Sequence, residues 1–302
     1  MSALKLGIAL LLGTALAHGS VAQATAAPST IVVEGHRLHS KVDDFVGRLT
    51  TDVKGDQLGR FLEDVCPGVV GLSDNLAQDI TARIRRVADA VGADVAKRKC
   101  QPNLVLLVVH DKQNAIKQLR AGLPGVFAGM RVADIHRLLE TPGPIAAWQL
   151  SSRIGADGMP LMMVRLSPTD GSNDAVQVVR AGGFISGVHG VMSVMRQFDL
   201  SLVIVEAGAL DQVDTRQLAD YTVMRGLAAT GSQAVNLPAP SILQLFNPGV
   251  SPLAAPESVT WWDYAFLKSL YRSSNRREAS AQRSTIRQMM TSELKKIPVE
   301  QR

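Results

Sequence analysis

Residues 200–227 read LSLVIVEAGALDQVDTRQLADYTVMRGL, and this stretch decides the fold. Leu200–Val205 is an unbroken run of leucine and β-branched residues, the pattern of a strand covered on both faces. A helix is expected over Thr215–Leu227. At 100° per residue, Ala219, Val223, Leu227 and Met224 share one face, while Leu218 and Tyr221 lie on the other side. A helix apolar on two sides is sandwiched in a core. Asp220 projects into the first face, between Leu227 and Met224, and Arg216 at i−4 is its nearest local ion partner.

The same strand-and-helix logic extends outward. Leu104–Val109 reads as a second buried strand. Before it, Ser73 or Asp74 can cap a helix whose Leu76, Ile80, Ile84, Val87 and Val91 recur at three- and four-residue steps, and Gly92 ends it. Asp111 caps a helix through Leu119, and Val132–Leu139 forms another. Ala146–Arg153, Leu161–Leu166 and Ala175–Ala181 have strand patterning, with Gly and Pro marking turns between them. Five prolines punctuate the connection 234–257. Helices return at Thr260–Tyr271 and Arg277–Lys296. Ile31–Arg37 reads as a short exposed edge strand. The expected class is α+β, a mixed sheet with flanking helices and a helical C-terminal section. The expected organisation is a signal peptide over 1–24, an extension over 25–60, an α/β half over 61–150 and an α+β half over 151–302.

The N-terminus carries an export pattern. Lys5 gives a positive start, and Leu6–Ala17 is an apolar run of ~12 residues, short of the ~20 that a spanning helix needs. Ala22-Gln23-Ala24 fits a small-x-small cleavage site, placing the cut after Ala24, with Ala24-Thr25-Ala26 as a close competitor. A Sec-type signal of this kind implies a periplasmic or secreted bacterial protein. No later segment is apolar enough to span a membrane. Cys66 and Cys100 are the two cysteines, an even count that reads as one disulfide in an oxidising compartment. Such a bridge would tie the region before the helix at 74–91 to the start of the strand at 104–109.

Composition narrows the function classes. The net charge is +5, from 32 basic and 27 acidic residues, and only 4% of residues are aromatic. That is neither the clustered basic footprint nor the stacking platform of a nucleic-acid binder. There is no P-loop, no G-x-S-x-G elbow and no H-E-x-x-H. His36, His39, His110, His136 and His189 are scattered. Ser186 and His189, in a glycine-rich stretch, could join Asp220 in a dispersed hydrolase site. The last helix carries Arg276, Arg277, Arg283, Arg287, Lys295 and Lys296 beside an apolar stripe of Ile286, Met289, Met290 and Leu294. Its two readings are a solvated helix packed by one face and a dock for an anionic envelope surface or acidic partner.

Three segments in order carry a resemblance. Ala219-Asp220-Tyr221-Thr222-Val223-Met224-Arg225-Gly226-Leu227 is similar in spacing to the H-E-x-x-H-x-x-G-[LI] helix of zincin metallopeptidases. Ser241-Ile242-Leu243 resembles the S-[IVF]-[MFL] turn that floors such sites. Thr260, Asp263, Leu267, Leu270 and Tyr271 resemble the T-x-x-D-x-x-x-L-x-x-L-Y segment of matrixin-like peptidases, and of exported proteobacterial proteins with a peptidase-like C-terminal half. The resemblance implies that Ala219 and Val223 stand at the metal-ligand positions, Asp220 at the general-base position and Gly226 at the glycine turn. Catalytic zinc needs three protein ligands and an open water position, and neither Ala nor Val has a lone pair to offer. The expectation is a pseudo-metallopeptidase with no metal and no cofactor. It would bind an envelope protein or peptide, with the dispersed hydrolase as the alternative.

Overall fold

The computed structural model describes residues 29–50, 57–97, 99–155, 157–159, 162–166, 176–180, 194–231 and 236–298; for 29–36, 162–166 and 176–180 only the backbone is described. Ala24, Ser186 and His189 lie outside the described residues, as does the His36 side chain. Within them the chain runs α1 (Ser29–Thr50), β1 (Pro67–Val70), α2 (Asp74–Val91), β2 (Leu104–Val109), α3 (Lys112–Gly122), α4 (Val132–Glu140), β3 (Ile145–Gly155), β4 (Met162–Leu166), β5 (Val176–Arg180), β6 (Val194–Glu206), α5 (Thr215–Leu227), α6 (Trp261–Arg272) and α7 (Ala279–Lys295). Short 3₁₀ turns occupy Pro124–Phe127, Ala207–Ala209, Ile242–Phe246 and Pro252–Ala254.

The class is α+β. Four strands form a mixed sheet in the order β1-β2-β6-β3, and β4 and β5 form a separate antiparallel pair. β1, β2 and β6 run parallel, while β3 lies antiparallel along β6 with a register shift at Leu150/Ser151. The sheet takes strands from both sides of residue 150, which itself falls inside β3.

The central strands explain their own composition. On β2 and β6, Leu104, Leu106, Val108, Val203 and Val205 join the larger core, shared with α1, α2, α5, α6 and α7. Leu202 and Ile204 point the other way, into a smaller core with Ile116 of α3, Ile135 of α4 and Trp148 of β3. Successive residues are buried on opposite faces, so the run has no polar alternation. Helices therefore cover both faces, and the heavier layer holds α5.

Local chemistry sets the boundaries. Asp111 accepts a hydrogen bond from Asn114 N at 2.8 Å and caps α3, while Gly92 closes α2 in the left-handed region at φ 87°. Gly71 follows β1 at φ 91°, and a Cβ there would lie 2.0 Å from the Val108 carbonyl oxygen, so only glycine fits beside β2. The Cys66–Cys100 disulfide is formed, with Cα atoms 6.0 Å apart. Because Pro67 pairs with Leu104, the bridge joins the starts of two adjacent parallel strands.

One expectation is overturned. Ile31–Arg37 is not an edge strand but the first part of α1. Its β-branched residues favour extended backbone locally, yet Leu38, Val42, Phe45, Val46 and Leu49 follow at helical spacing, all buried. Phe45 packs against Trp262 and Phe266 of α6 in tilted and edge-on arrangements, at ring-centroid distances of 5.4 and 6.4 Å. The helix is fixed by that packing, and the segment expected as an extension supplies part of the core. No helix among the described residues is long and apolar enough to cross a membrane.

Candidate functional site

The candidate site is α5 and what surrounds it. A capping box starts the helix: Asp214 Oδ1 accepts from Gln217 N at 2.7 Å, and Gln217 Oε1 accepts from Asp214 N at 3.2 Å. From Gln217 to Leu227 every residue except Arg225 is buried. The helix is covered on all sides, as an element apolar on two faces requires.

Gly226 tells which way the ligand-position stripe looks. A Cβ at Gly226 would sit 2.9 Å from the Leu104 side chain at the start of β2. Ala219 lies two turns earlier on the same stripe, and Val223 stands beside it. Ala219 and Val223 are both 0% exposed. These positions therefore form the packing surface of α5 against the sheet.

Asp220, about a quarter turn further round, is also 0% exposed. Its partner is not Arg216, which is exposed. Instead Arg83 reaches across from α2, with Nε donating to Oδ1 at 2.7 Å and Nη2 to Oδ2 at 2.8 Å. Ser258 Oγ and Val259 N each donate to Oδ2 at 2.8 Å. The carboxylate accepts four hydrogen bonds and joins α5, α2 and the segment leading into α6. The fork geometry of guanidinium on carboxylate makes this a strong, directional contact.

A second buried carboxylate lies nearby. Asp263 is the third residue of α6 and wholly buried. Its Oδ1 accepts from Ser241 Oγ at 2.5 Å, and its Oδ2 from Ile242 N at 2.8 Å and from Thr260 N and Oγ1, both at 3.0 Å. No cation is among these partners. Burial pushes the Asp263 carboxyl up to about 6, against the pull of its donors in the other direction. The Tyr271 hydroxyl donates to the Leu227 carbonyl at 3.2 Å, closing the far end of α5 onto the far end of α6. The three segments that resemble peptidase motifs are thus one hydrogen-bonded unit.

The other candidates are not brought together. His39 on α1, His110 after β2 and His136 on α4 are exposed on separate elements. Among the described residues, no group of three or more His, Cys, Asp or Glu side chains is arranged to hold a metal ion. Trp262 is core, but Trp261 is 44% exposed beside Tyr264. Two residues that sequence reasoning passed over matter structurally. Arg83 is one, and Lys112 is the other: its Nζ, almost wholly buried, donates to the Thr141 and Gly143 carbonyls at 2.7 and 2.6 Å. Burial lowers the Lys112 pKa, partly offset by Glu206. A signal for Arg83 was its place in α2 between Ile80 and Ile84, where a long basic stem can cross to a neighbouring helix.

Two surface clefts lie away from α5. One adjoins the disulfide and includes Glu63, Asp64 and Asp199. The other runs between α1 and α7, with His39, Asp43, Ser284, Arg287, Thr291 and Lys295 among its walls. Comparison with known protein families, with curated proteins and with solved structures finds no match to this chain.

Proposed function

We propose that this chain is an exported envelope protein that binds or scaffolds a partner, an envelope protein or peptide, and performs no chemistry of its own. It is read as a metallopeptidase-like half that has lost its metal site. One observation carries the reading: Asp220, the ionisable side chain among the metal-helix positions Ala219, Asp220, Val223 and Gly226, accepts four hydrogen bonds at 0% exposure. A general base must reach a water or a substrate proton, and this carboxylate is already committed. Ala219 and Val223 add no ligand and face packed side chains rather than solvent. Export is supported by the charged-apolar-small pattern of residues 1–24 and by a disulfide that an oxidising compartment would preserve. The competing hydrolase of Asp220, His189 and Ser186 is disfavoured because its acid is engaged with Arg83.

The test is metal analysis of the purified, processed chain together with turnover assays on peptide, ester and glycan panels. Substoichiometric zinc and no turnover are expected. Zinc bound one to one and removed by a chelator together with hydrolysis would overturn the reading, and so would metal-independent turnover abolished by Ser186→Ala. Restoring histidines by Ala219→His with Val223→His gives a second readout. Both side chains would be forced against the sheet, so loss of the folded state is expected; a folded, zinc-loaded double variant would contradict the packing argument.

A further inference from the structure

The two edges of the central sheet are built in opposite ways. β1, at one edge, is four residues long, opens on Pro67 and is followed by the left-handed Gly71. Short edge strands and proline are devices that keep a sheet from pairing with other chains. β3, at the other edge, is eleven residues long. Its stretch Ile145-Ala146-Ala147-Trp148-Gln149-Leu150-Ser151-Ser152 holds no charge, no proline and no glycine. Among the described residues, β6 is the sole strand paired with β3.

The alternation of hydrogen bonds shows which backbone groups of β3 face outward. Glu206 N donates to the Pro144 carbonyl, so that pair is bonded across β3 and β6. Ser201 N donates instead to the Asn103 carbonyl, and Phe198 N to the Arg60 carbonyl, so both turn away from β3. Their opposites on β3, Gln149 and Ser151, therefore turn away from β6. By the same alternation Ala146, Trp148 and Leu150 bond to β6, whereas the N–H and C=O of Ile145, Ala147, Gln149 and Ser151 point out of the sheet. Among the described residues no backbone group bonds to these four, and all are half-buried. The strand is held from both faces. Gln149 Nε2 donates to the Arg225 carbonyl at 2.7 Å. Trp148 stacks on Phe127 with ring centroids 5.1 Å apart and donates to the Val126 carbonyl at 2.8 Å. An edge already fixed in extended form loses little further entropy on pairing.

We infer that the β3 edge pairs antiparallel with the same edge of a second copy of this chain, joining two four-stranded sheets into one. The two-fold axis passes at Trp148. Ile145 then lies opposite the second copy's Ser151, and Ala147 opposite its Gln149, each pair exchanging two hydrogen bonds. Arg153 falls opposite Gly143, beyond the strand, so no like charges meet. A second copy is the occupant for two reasons. An uncharged antiparallel strand is complementary to itself about a two-fold axis. Joining the β3 edges also leaves only the two blunt β1 edges exposed, so assembly closes at two copies. The inference stands apart from the metallopeptidase-like reading, since it uses main-chain groups of β3.

The test is sedimentation equilibrium of the purified, processed chain over about a hundredfold range of concentration, with residue-resolved amide exchange at the two ends of that range. A concentration-dependent doubling of mass is expected. In the dimer the amides of Ile145, Ala147, Gln149 and Ser151 should exchange about tenfold more slowly than in the dilute chain. Those of Ala146, Trp148 and Leu150, bonded to β6 in both states, should not change. Ala147→Pro removes an N–H that faces outward and leaves the β3–β6 bonds in place, so this variant should fold and stay monomeric. Should it fail to fold, the exchange pattern of the parent decides. A chain that stays monomeric throughout, a dimer that survives in folded Ala147→Pro, or a dimer whose four outward amides exchange as freely as in the monomer would overturn the inference.

Discussion

Asp220 and Asp263 are both carboxylates with 0% exposure in the same helical layer, yet they are compensated in opposite ways. Asp220 is met by the guanidinium of Arg83 as well as by a hydroxyl and a backbone N–H. Asp263 is held by hydroxyls and backbone N–H groups alone. The first arrangement binds two long-separated helices. The second caps the start of α6 and pins it to the Ser241–Ile242 turn 21 to 22 residues earlier, and tolerates a proton. Equal burial therefore says little about role; the partner's charge decides whether a carboxylate is a long-range tie or a local cap.

The sharpest way to break this contrast is Arg83→Met, which would convert Asp220 into a carboxylate held by dipoles only. A loss of about 3–5 kcal/mol in denaturant unfolding is expected, because it strands a wholly buried charge. Asp220→Ala should cost less, about 2–4 kcal/mol, since the Arg83 side chain is 25% exposed and can take up water. If Asp220→Ala were the costlier of the two, the charge argument would fail.

Asp263 should reveal itself through pH. Its folded pKa of about 6 lies above the unfolded value of about 3.9, so the folded state binds the proton more tightly. Its contribution is fully favourable below about pH 4 and is lost as pH rises through about 6. A two-unit difference corresponds to a swing on the order of 3 kcal/mol over that window. Asp263→Asn, which cannot titrate, should flatten the decline of stability between pH 4 and 7 relative to the parent. A parallel pair of curves would exclude Asp263 as its source.

Gly226→Ala gives the smallest effect, about 1–2 kcal/mol of destabilisation from crowding against Leu104. Thermal unfolding would read it. A neutral substitution would mean that the Ala219–Val223–Gly226 stripe does not press on the sheet.

How much of this was legible in the sequence follows from the range of the forces involved. α5 is readable to its boundaries, because a helical period and a buried flanking strand agree over a short window; its Asp214 cap emerges only from the structure. β2 was equally plain from six consecutive apolar residues. α1 is not, since Ile31-Val32-Val33 reads as strand locally, whereas the buried residues Leu38, Val42, Phe45, Val46 and Leu49 that follow at helical spacing pack into a core built by distant segments. The Asp220 partner is illegible for the same reason. Arg216 is the answer that a four-residue horizon gives, whereas Arg83 lies 137 residues away in the chain. The α1–α7 cleft has one legible half: the basic residues of the last helix are apparent in the sequence, whereas the facing wall lies in the segment 25–60 that reads as an extension.

The bridge between the starts of β1 and β2 has a consequence for how the chain would respond to cutting. It encloses all of α2 in a covalent ring, with Cys66 and Cys100 separated by 34 positions. A protease nick inside that ring would leave a single particle of unchanged mass on a non-reducing gel, and only a thiol would release the two pieces. Arg83 sits within the ring, so the tie to Asp220 would outlast a severed backbone.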